Sequence, residues 1–550
     1  MKYIIVTGGV ISGLGKGITA SSIGLLLKYA GLNVTAIKID PYLNIDAGTM
    51  SPYEHGECYV LADGSEVDLD LGNYERFLNI ELTGDHSITT GKVYNNVLTK
   101  ERNGDYLGKT VQIIPHITNE ISRLIEQGSQ IQIDGCSKKK PDVCIIELGG
   151  TIGDIEGLSF VEALRQMNLN LGQTNQFCFV HLSLIIDNGE YKTKPTQHSV
   201  AKLRELGISP DMLILRCPDH LDQAMTQKLE LMCHIQRGNI IENRNVPNIY
   251  YVPQLFHQQG VHKKIGEILG LKLEDFDFSA TRIKNIIRYF DSSEISKTIV
   301  IGIAGKYLNN NDTYLSLIRA IYHAAFHHHV KIKIKWLDVE KPVEELLTEV
   351  DMCDGIIIPG GFGVRGVSGK LAVANICRSK GKPMLGICLG MQIIIVEFMR
   401  SVVGLPDAAS TEWNINTAEE TKESTGSTVT KNPVIQLLPG QTYIKGGTMR
   451  LGNYKSHLHK GTKTKELYGN KDFVLERHRH RYEVNNEYVS KMEQHGLKVS
   501  GINKKHDLVE IVELVEHPFY VGCQFHPEYK TRMDEPAPLF VGLVGAILKK

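Results

Sequence analysis

Tyr3-Ile4-Ile5-Val6-Thr7-Gly8-Gly9-Val10-Ile11-Ser12-Gly13-Leu14-Gly15-Lys16-Gly17 runs from an apolar stretch through a glycine-rich loop to a lysine, and a helical pattern through residues 21–29 follows. A short apolar run that ends in glycines before a helix reads as a buried strand feeding a phosphate-binding turn. Glycines let backbone N–H groups wrap a polyphosphate, the helix N-terminus adds its dipole, and Lys16 adds a full charge. The spacing departs from the common P-loop in two respects. One extra residue precedes Gly15-Lys16, and Gly17 stands where a magnesium-binding Ser or Thr is usual. The next apolar runs at 33–39 and 143–147 alternate with helical stretches, which predicts a parallel sheet with helices on both faces.

If Gly17 cannot ligate a metal, other oxygens must. Magnesium takes one or two carboxylates with phosphate oxygens and water. The candidates are Asp70 in Asp68-Leu69-Asp70-Leu71-Gly72 and Glu147 at the end of the run 143–147. Their plainer readings are a loop acid and a strand-end residue facing solvent. Lys38 ends the second strand on the expected ligand edge, either as a phosphate contact or as a strand-end lysine. Lys192-Thr193-Lys194-Pro195-Thr196-Gln197 reads either as a solvated loop or as a second anionic site gripping another triphosphate.

A second α/β alternation begins near Asp291, after a helical, charge-mixed stretch over 273–290. Its strands are expected at 298–304, 331–337, 355–359 and 383–387. The last of these runs into Gly386-Ile387-Cys388-Leu389-Gly390-Met391-Gln392. A Gly-x-Cys-x-Gly turn between strand and helix places the thiol on a tight elbow, where backbone N–H groups and the helix dipole favour the thiolate. Gln524-Phe525-His526-Pro527-Glu528 then supplies a histidine base and, two residues on, a carboxylate to orient it. This is the machinery for stripping nitrogen from an amide.

The 550 residues are too many for one core, so two or three domains are expected. A formal net charge of -1 leaves no basic field for nucleic acid. The first apolar stretch is too short for a signal peptide, and no run approaches the length of a bilayer span, so a cytoplasmic protein without membrane partners is expected. Ten cysteines without a C-x-x-C pair suggest reduced thiols rather than zinc or disulfides. His327-His328-His329 is weak evidence for a metal, because consecutive helical residues point apart. Residues 135–141 read as a solvated loop and 414–432 as an insertion poor in apolar residues.

Taken together these motifs resemble the CTP synthase family nearly end to end. The likeness includes residues 8–17, Lys38-Ile39-Asp40-Pro41-Tyr42, and the stretches 66–77, 104–108, 147–156 and 192–199. It continues through 359–363, 386–392, 446–452, 477–485 and 524–528. The resemblance implies an α/β chain in which a P-loop-type, parallel-sheet amidoligase domain is followed by a class I glutamine amidotransferase domain. The expected divisions are 1–270 for the ATP- and UTP-binding ligase, 271–297 for a helical linker and 298–550 for the amidotransferase.

The resemblance also implies roles. Gly13, Leu14, Gly15, Lys16, Gly17 and Ile18 would hold ATP, with Lys38, Asp70, Arg216 and Val246 as further ATP-site positions, and Asp70 with Glu147 would hold Mg²⁺. Ser12, Asp154, Ile155 and Glu156 would line the UTP site with Lys192, Thr193, Lys194, Pro195, Thr196, Gln197 and Lys228. Inhibitory CTP would share part of it. Cys388 would be the nucleophile, His526 the base and Glu528 its orienter. Gly361 and Leu389 would offer oxyanion N–H groups, Gly390, Met391 and Gln392 would adjoin glutamine, and Glu412 with Arg481 would hold its amino-acid head. Arg479 is an alternative to Arg481. GTP would activate near residues 362–366, and a homotetramer, with filaments in many family members, is implied. A different amidoligase with an attached glutaminase, such as one amidating corrinoid precursors, fits the basic turn at Lys192 less well. A nucleotide-binding scaffold with vestigial motifs fits poorly with so many reactive residues present.

Overall fold

A computed structural model describes residues 1–132, 140–171, 175–292, 295–308, 310–414, 431–438 and 449–549. Most of the loop 135–141, most of the insertion 414–432 and the first residues of the 446–452 motif lie outside the described residues. The chain forms two compact units, Met1–Ala47 with Asp70–Asp291 and Gly48–Leu69 with Ser292–Lys550.

In the first unit seven strands run in the order Ile240–Arg244, Met212–Cys217, Phe177–Leu184, Lys2–Gly8, Val143–Leu148, Val34–Asp40 and Ser87–Thr89. Every pairing is parallel. Strands covered on both faces read as continuous apolar runs, and Ile4, Ile5, Ile145 and Ile146 are indeed buried without alternation. One layer of the core gathers Ile37, Ile39, Ile121, Ile125 and Leu164. The register sets Lys38 beside Glu147 and Val6 on Glu147's other side, so the sheet's carboxyl edge collects charge.

The second unit holds a nine-stranded sheet. Lys331–Asp338, Thr298–Gly305, Gly355–Ile358, Met384–Ile387 and Tyr520–Cys523 are parallel. Leu508–Leu514, Leu497–Asn503, Arg450–Leu458 and Phe473–His480 extend it antiparallel. The helix Leu389–Ser401 lies almost wholly buried against the parallel half.

The helix expected over 273–290 is confined to Arg282–Asp291, since Asp277 caps a separate single turn, Phe278–Ala280. That helix is not a free connector. Ile283 and Ile287 are fully buried and Arg282 donates to the carbonyl of Phe77 at 2.6 Å, which keeps it with the first unit. Residues 48–69 group with the second unit, another departure from a cut at 270 and 298. Their hairpin, Tyr59–Val60 with Glu66–Val67, is held there by buried contacts described below. Among the described residues no helix is long and apolar enough to cross a membrane.

Candidate functional sites

The phosphate loop of the first unit depends on its glycines for different reasons. Gly13 and Gly15 have φ of +71° and +91°, a region that side chains disfavour, whereas Gly8 makes room for the Lys16 stem. Lys16 begins the helix Lys16–Tyr29 and its ammonium donates to the Gly150 carbonyl at 2.6 Å. At Gly17 a Cβ would collide with the Asp70 carboxylate. The carboxylate occupies the space in which a P-loop Ser or Thr side chain would stand, so the missing hydroxyl and the added acid are one arrangement.

Around it the charges converge. The Lys38 ammonium lies 3.1 Å from Asp70 and 2.6 Å from Asp40, two residues along the same strand and so on the same face. Tyr74 donates to Glu147. Burial, and then the nearby charge of Asp70, push Glu147 up to about 8, while Lys38 and Tyr74 pull the other way. Burial lowers Lys16 despite the pull of Glu147. Two converging carboxylates that repel each other in a buried site form a donor set that a divalent cation would relieve, and it suits Mg²⁺, which needs few protein ligands when phosphate oxygens complete its shell. Arg216 joins the loop by donating to the Gly13 carbonyl at 3.1 Å, and Val246 is half-buried just beyond the end strand.

Two of the residues assigned to UTP border this cluster: Ser12 lies in the phosphate loop, and Asp154 accepts from the Thr151 N–H next to Gly150, whose carbonyl takes the Lys16 ammonium. No hydrogen bond or ion pair among the described residues joins Lys192, Lys194, Lys228 or Glu156 to the cluster. Lys192 pairs with Glu190 at 2.7 Å, and the helix Lys194–Glu205 starts at Thr193, whose hydroxyl accepts from Gln197. Thr196 is buried and donates to the carbonyl of Leu184 while accepting from Ser183, so its hydroxyl secures the turn. Ser12, Asp154, Ile155 and Glu156 are exposed. Asp40 and Tyr74 escaped sequence reasoning. Asp40 was legible only as a neighbour of Lys38 at strand spacing, and nothing local pointed to Tyr74.

In the second unit Cys388 joins the strand Met384–Ile387 to the helix Leu389–Ser401 with φ of 54° and ψ of -105°, a strained turn for a non-glycine residue. Its N–H donates to the Cys523 carbonyl at 2.7 Å. A Cβ on Gly386 would approach the Gly390 backbone to 2.6 Å, and one on Gly390 would strike the Ile358 carbonyl, so both glycines permit the close approach. His526 and Glu528 meet through Nδ1 and Oε1 at 2.7 Å. Gly360 lies between the two reactive residues, its missing Cβ 2.8 Å from the His526 ring and 3.6 Å from the Cys388 Cβ. Burial opposes charge on His526, but Glu528 and the facing Cys388 outweigh it and raise the ring to about 10. The imidazole therefore holds a proton, beside the Cys388 side chain.

Beside Cys388 opens a cavity of about 450 Å³ whose wall includes Gly361, Leu389, Gln392, Glu412, Arg479 and Arg481. Gly390 and Met391, expected next to glutamine, are not in that wall. Gly390 faces Ile358, and Met391 packs beneath Gly522, because Leu389 and Gln392, three apart, share the helix face toward the cavity while the two residues between them turn to the sheet. Glu412 accepts from the Gly363 N–H at 2.8 Å. Arg479 is committed to Glu66 at 2.8 Å and to the Gly48 carbonyl at 3.2 Å.

The run Arg477-His478-Arg479-His480 divides by strand alternation. On one side Arg477 donates to the Tyr59 hydroxyl at 3.0 Å and Arg479 holds Glu66, so both bind the segment 48–69. On the other, His478 and His480 adjoin each other at 2.9 Å, near Arg450, which pairs with Glu483 and Glu510. Burial, and then Arg450, keep both histidines neutral. That half of the motif is a buried structural network. The segment 48–69 also reaches the catalytic candidates. Tyr59 donates to the Tyr529 carbonyl, and the Tyr529 ring stacks on His526 at 5.0 Å.

Residues 2–271 match the family model for the CTP synthase N-terminus, and residues 310–546 match that for class I glutamine amidotransferases. The chain is 46% identical over 559 residues to a CTP synthase of Methanopyrus kandleri, covering 99% of each. It is likewise 46% identical over 563 residues to CTP synthase 2 of Xenopus laevis, covering 99% of this chain and 94% of that one. Among solved structures, the glutaminase domain of a Trypanosoma brucei CTPS with bound acivicin is 34% identical, with a TM-score of 0.41 over 46% of this chain and 94% of that one. Two family models in sequence and near-complete coverage of relatives that differ so widely in source leave one assignment: the chain belongs to the CTP synthase family.

Proposed function

We propose that this protein makes CTP from UTP, ATP and glutamine, with Cys388, His526 and Glu528 releasing ammonia and the cluster around Lys16, Asp70 and Glu147 activating UTP. The observation that carries the reading is the coexistence on one chain of a thiol elbow backed by a His–Glu pair and a phosphate loop whose metal-ligand space is filled by Asp70.

The uracil 4-oxygen is a poor leaving group, so ATP phosphorylates it and ammonia then displaces phosphate. Lys16 and Lys38 neutralise charge on the transferring phosphoryl group, and loop N–H groups orient it. Mg²⁺ held by Asp70 and Glu147 supplies charge neutralisation there when bound. In the other half-reaction the Cys388 thiolate attacks the glutamine amide carbon. Its C–N bond breaks as His526 passes its proton to the leaving ammonia, and water then hydrolyses the thioester to glutamate. Glu412 and Arg481 hold the amino-acid head. Arg479 is less suited, since its guanidinium already serves Glu66. The basic turn 192–197 with Ser12, residues 154–156 and Lys228 forms the UTP and CTP site, GTP activates near residues 362–366, and the protein works as a cytoplasmic homotetramer able to form filaments. Residues 1–270 act as ligase and 298–550 as amidotransferase, with the segment 48–69 packed in the second unit.

Incubation with ATP, Mg²⁺ and UTP, supplied with either glutamine or ammonium chloride, is expected to yield CTP by chromatography. Absence of CTP from both nitrogen sources overturns the reading. A second expectation concerns the glycine that replaces the P-loop hydroxyl. Gly17→Ala drives a methyl into the Asp70 carboxylate and should lower synthesis at least roughly 100-fold while glutamine hydrolysis persists. Unchanged synthesis by that variant removes Asp70 from the site proposed here.

A further inference from the structure

The loop 359–363 beside Cys388 is gripped by charge on several sides. The Lys306 ammonium donates to the Phe362 carbonyl, Glu412 accepts from Gly363, and the His526 ring lies against Gly360. Beneath Gly361 sits one more charged group. The Lys370 ammonium is 3.6 Å from the point a Gly361 Cβ would occupy, next to Leu389 at 3.5 Å.

Lys370 is only 1% exposed, and it lies close enough to Lys306, Cys388 and Glu412 for their charges to act on it. It also stands in the first turn of the helix Val367–Ser379, where a cation opposes the helix dipole. Its position is fixed from outside as well, since a Cβ on Gly369 would meet the Val339 carbonyl and the helix is thus seated tightly. Burying a lysine at the wrong end of a helix is costly, and a lysine of purely structural use would extend to solvent instead.

We infer that Lys370 is a positioning residue of the glutamine half-reaction, its buried charge under Gly361 favouring negative charge on the Cys388 sulfur and on the oxygen that Gly361 and Leu389 would receive. This rests on the reading of Cys388 as the glutaminase nucleophile. The titratable groups facing Lys370 are Lys306, Cys388 and Glu412. Burial and then Lys306 bring the ammonium down to about 7, against the pull of Cys388 and Glu412. Its charge is thus present below about pH 7 and fades above.

The sign follows. Without Lys370 the thiolate is harder to form at low pH, and the difference narrows as the pH rises past 7. The test uses the full chain with Lys370→Met, Lys370→Gln and Lys370→Arg. Alkylation of Cys388 by iodoacetamide is followed by mass spectrometry from pH 5.5 to 9, beside steady-state glutamine-dependent and ammonia-dependent CTP synthesis. Met and Gln are expected to move the alkylation midpoint to higher pH and lower the glutamine-dependent kcat about tenfold, with little change in the KM for glutamine. Ammonia-dependent synthesis should stay within about twofold, and Arg should restore the midpoint. An unchanged midpoint, or an Arg variant that behaves like Met, overturns the inference. So does loss of ammonia-dependent synthesis in both neutral variants, which assigns Lys370 to packing alone. If the unsubstituted protein makes CTP from ammonia but not from glutamine, the reading of Cys388 fails first and the inference falls with it.

Discussion

Cys388→Ala is expected to abolish CTP formation from glutamine, by at least about 1000-fold, while formation from ammonium chloride stays within about twofold of the unsubstituted protein. The first effect follows from losing the sulfur that would form the thioester. The elbow that presents it, with φ of 54°, contains no other nucleophile, and His526 is oriented by Glu528 toward that position. The second follows because Lys16, Lys38, Asp70 and Glu147 belong to the other compact unit, with its own core. Alanine keeps the Cβ and so leaves the elbow's strain unchanged, and it adds no volume, so the protein should still fold. Parallel assays with the two nitrogen sources, normalised by thermal unfolding, decide the matter. Loss of ammonia-dependent synthesis in a folded Cys388→Ala protein contradicts the division into two half-reactions.

Glu147→Ala should give the opposite phenotype, with synthesis from either nitrogen source reduced at least about 100-fold and glutamine hydrolysis retained. Glu147 is buried at the strand end, bonded to Tyr74 and raised to about 8 by burial and by Asp70. Such a carboxylate is poorly stabilised in the isolated protein, which is understandable if its charge is meant to meet a cation. Alanine removes that charge and leaves Asp70 alone with Lys38. Calorimetric titration with ATP and Mg²⁺ should register the loss as weaker binding of the pair, whereas ATP without metal should bind much as before. Full synthesis by Glu147→Ala would withdraw Glu147 from the proposed metal site.

The features legible in the sequence are those whose cause is local. Ile4 to Val6 and Val143 to Ile146 read as buried parallel strands because neither face alternates. Gly-x-Cys-x-Gly reads as an elbow because both glycines are needed where backbone meets backbone, at Gly390 against Ile358 and at Gly386 against Gly390. His526 and Glu528 sit two residues apart, close enough to be paired from spacing alone. The sequence also framed the right question at Gly17, namely which oxygen replaces the absent hydroxyl.

Asp70 and Glu147 were named from the sequence as metal ligands. That the Asp70 carboxylate stands in the space a Gly17 side chain would take, and that Glu147 is raised by it, are properties of the folded sheet edge. The grouping of residues 48–69 with the second unit depends on Tyr59, Glu66, Arg477 and Arg479, partners more than 400 positions apart. No periodicity encodes such a pairing. Lys370 illustrates the limit most clearly: in sequence it is one lysine among many in a helix, and only burial beneath Gly361 makes its charge consequential. Sequence alone thus determined the two α/β alternations, the thiol elbow and the phosphate loop, since backbone sterics and hydrophobic runs act between near neighbours. Tertiary structure decided which distant charges share a buried volume, because only closure of the fold removes the water that would otherwise screen them.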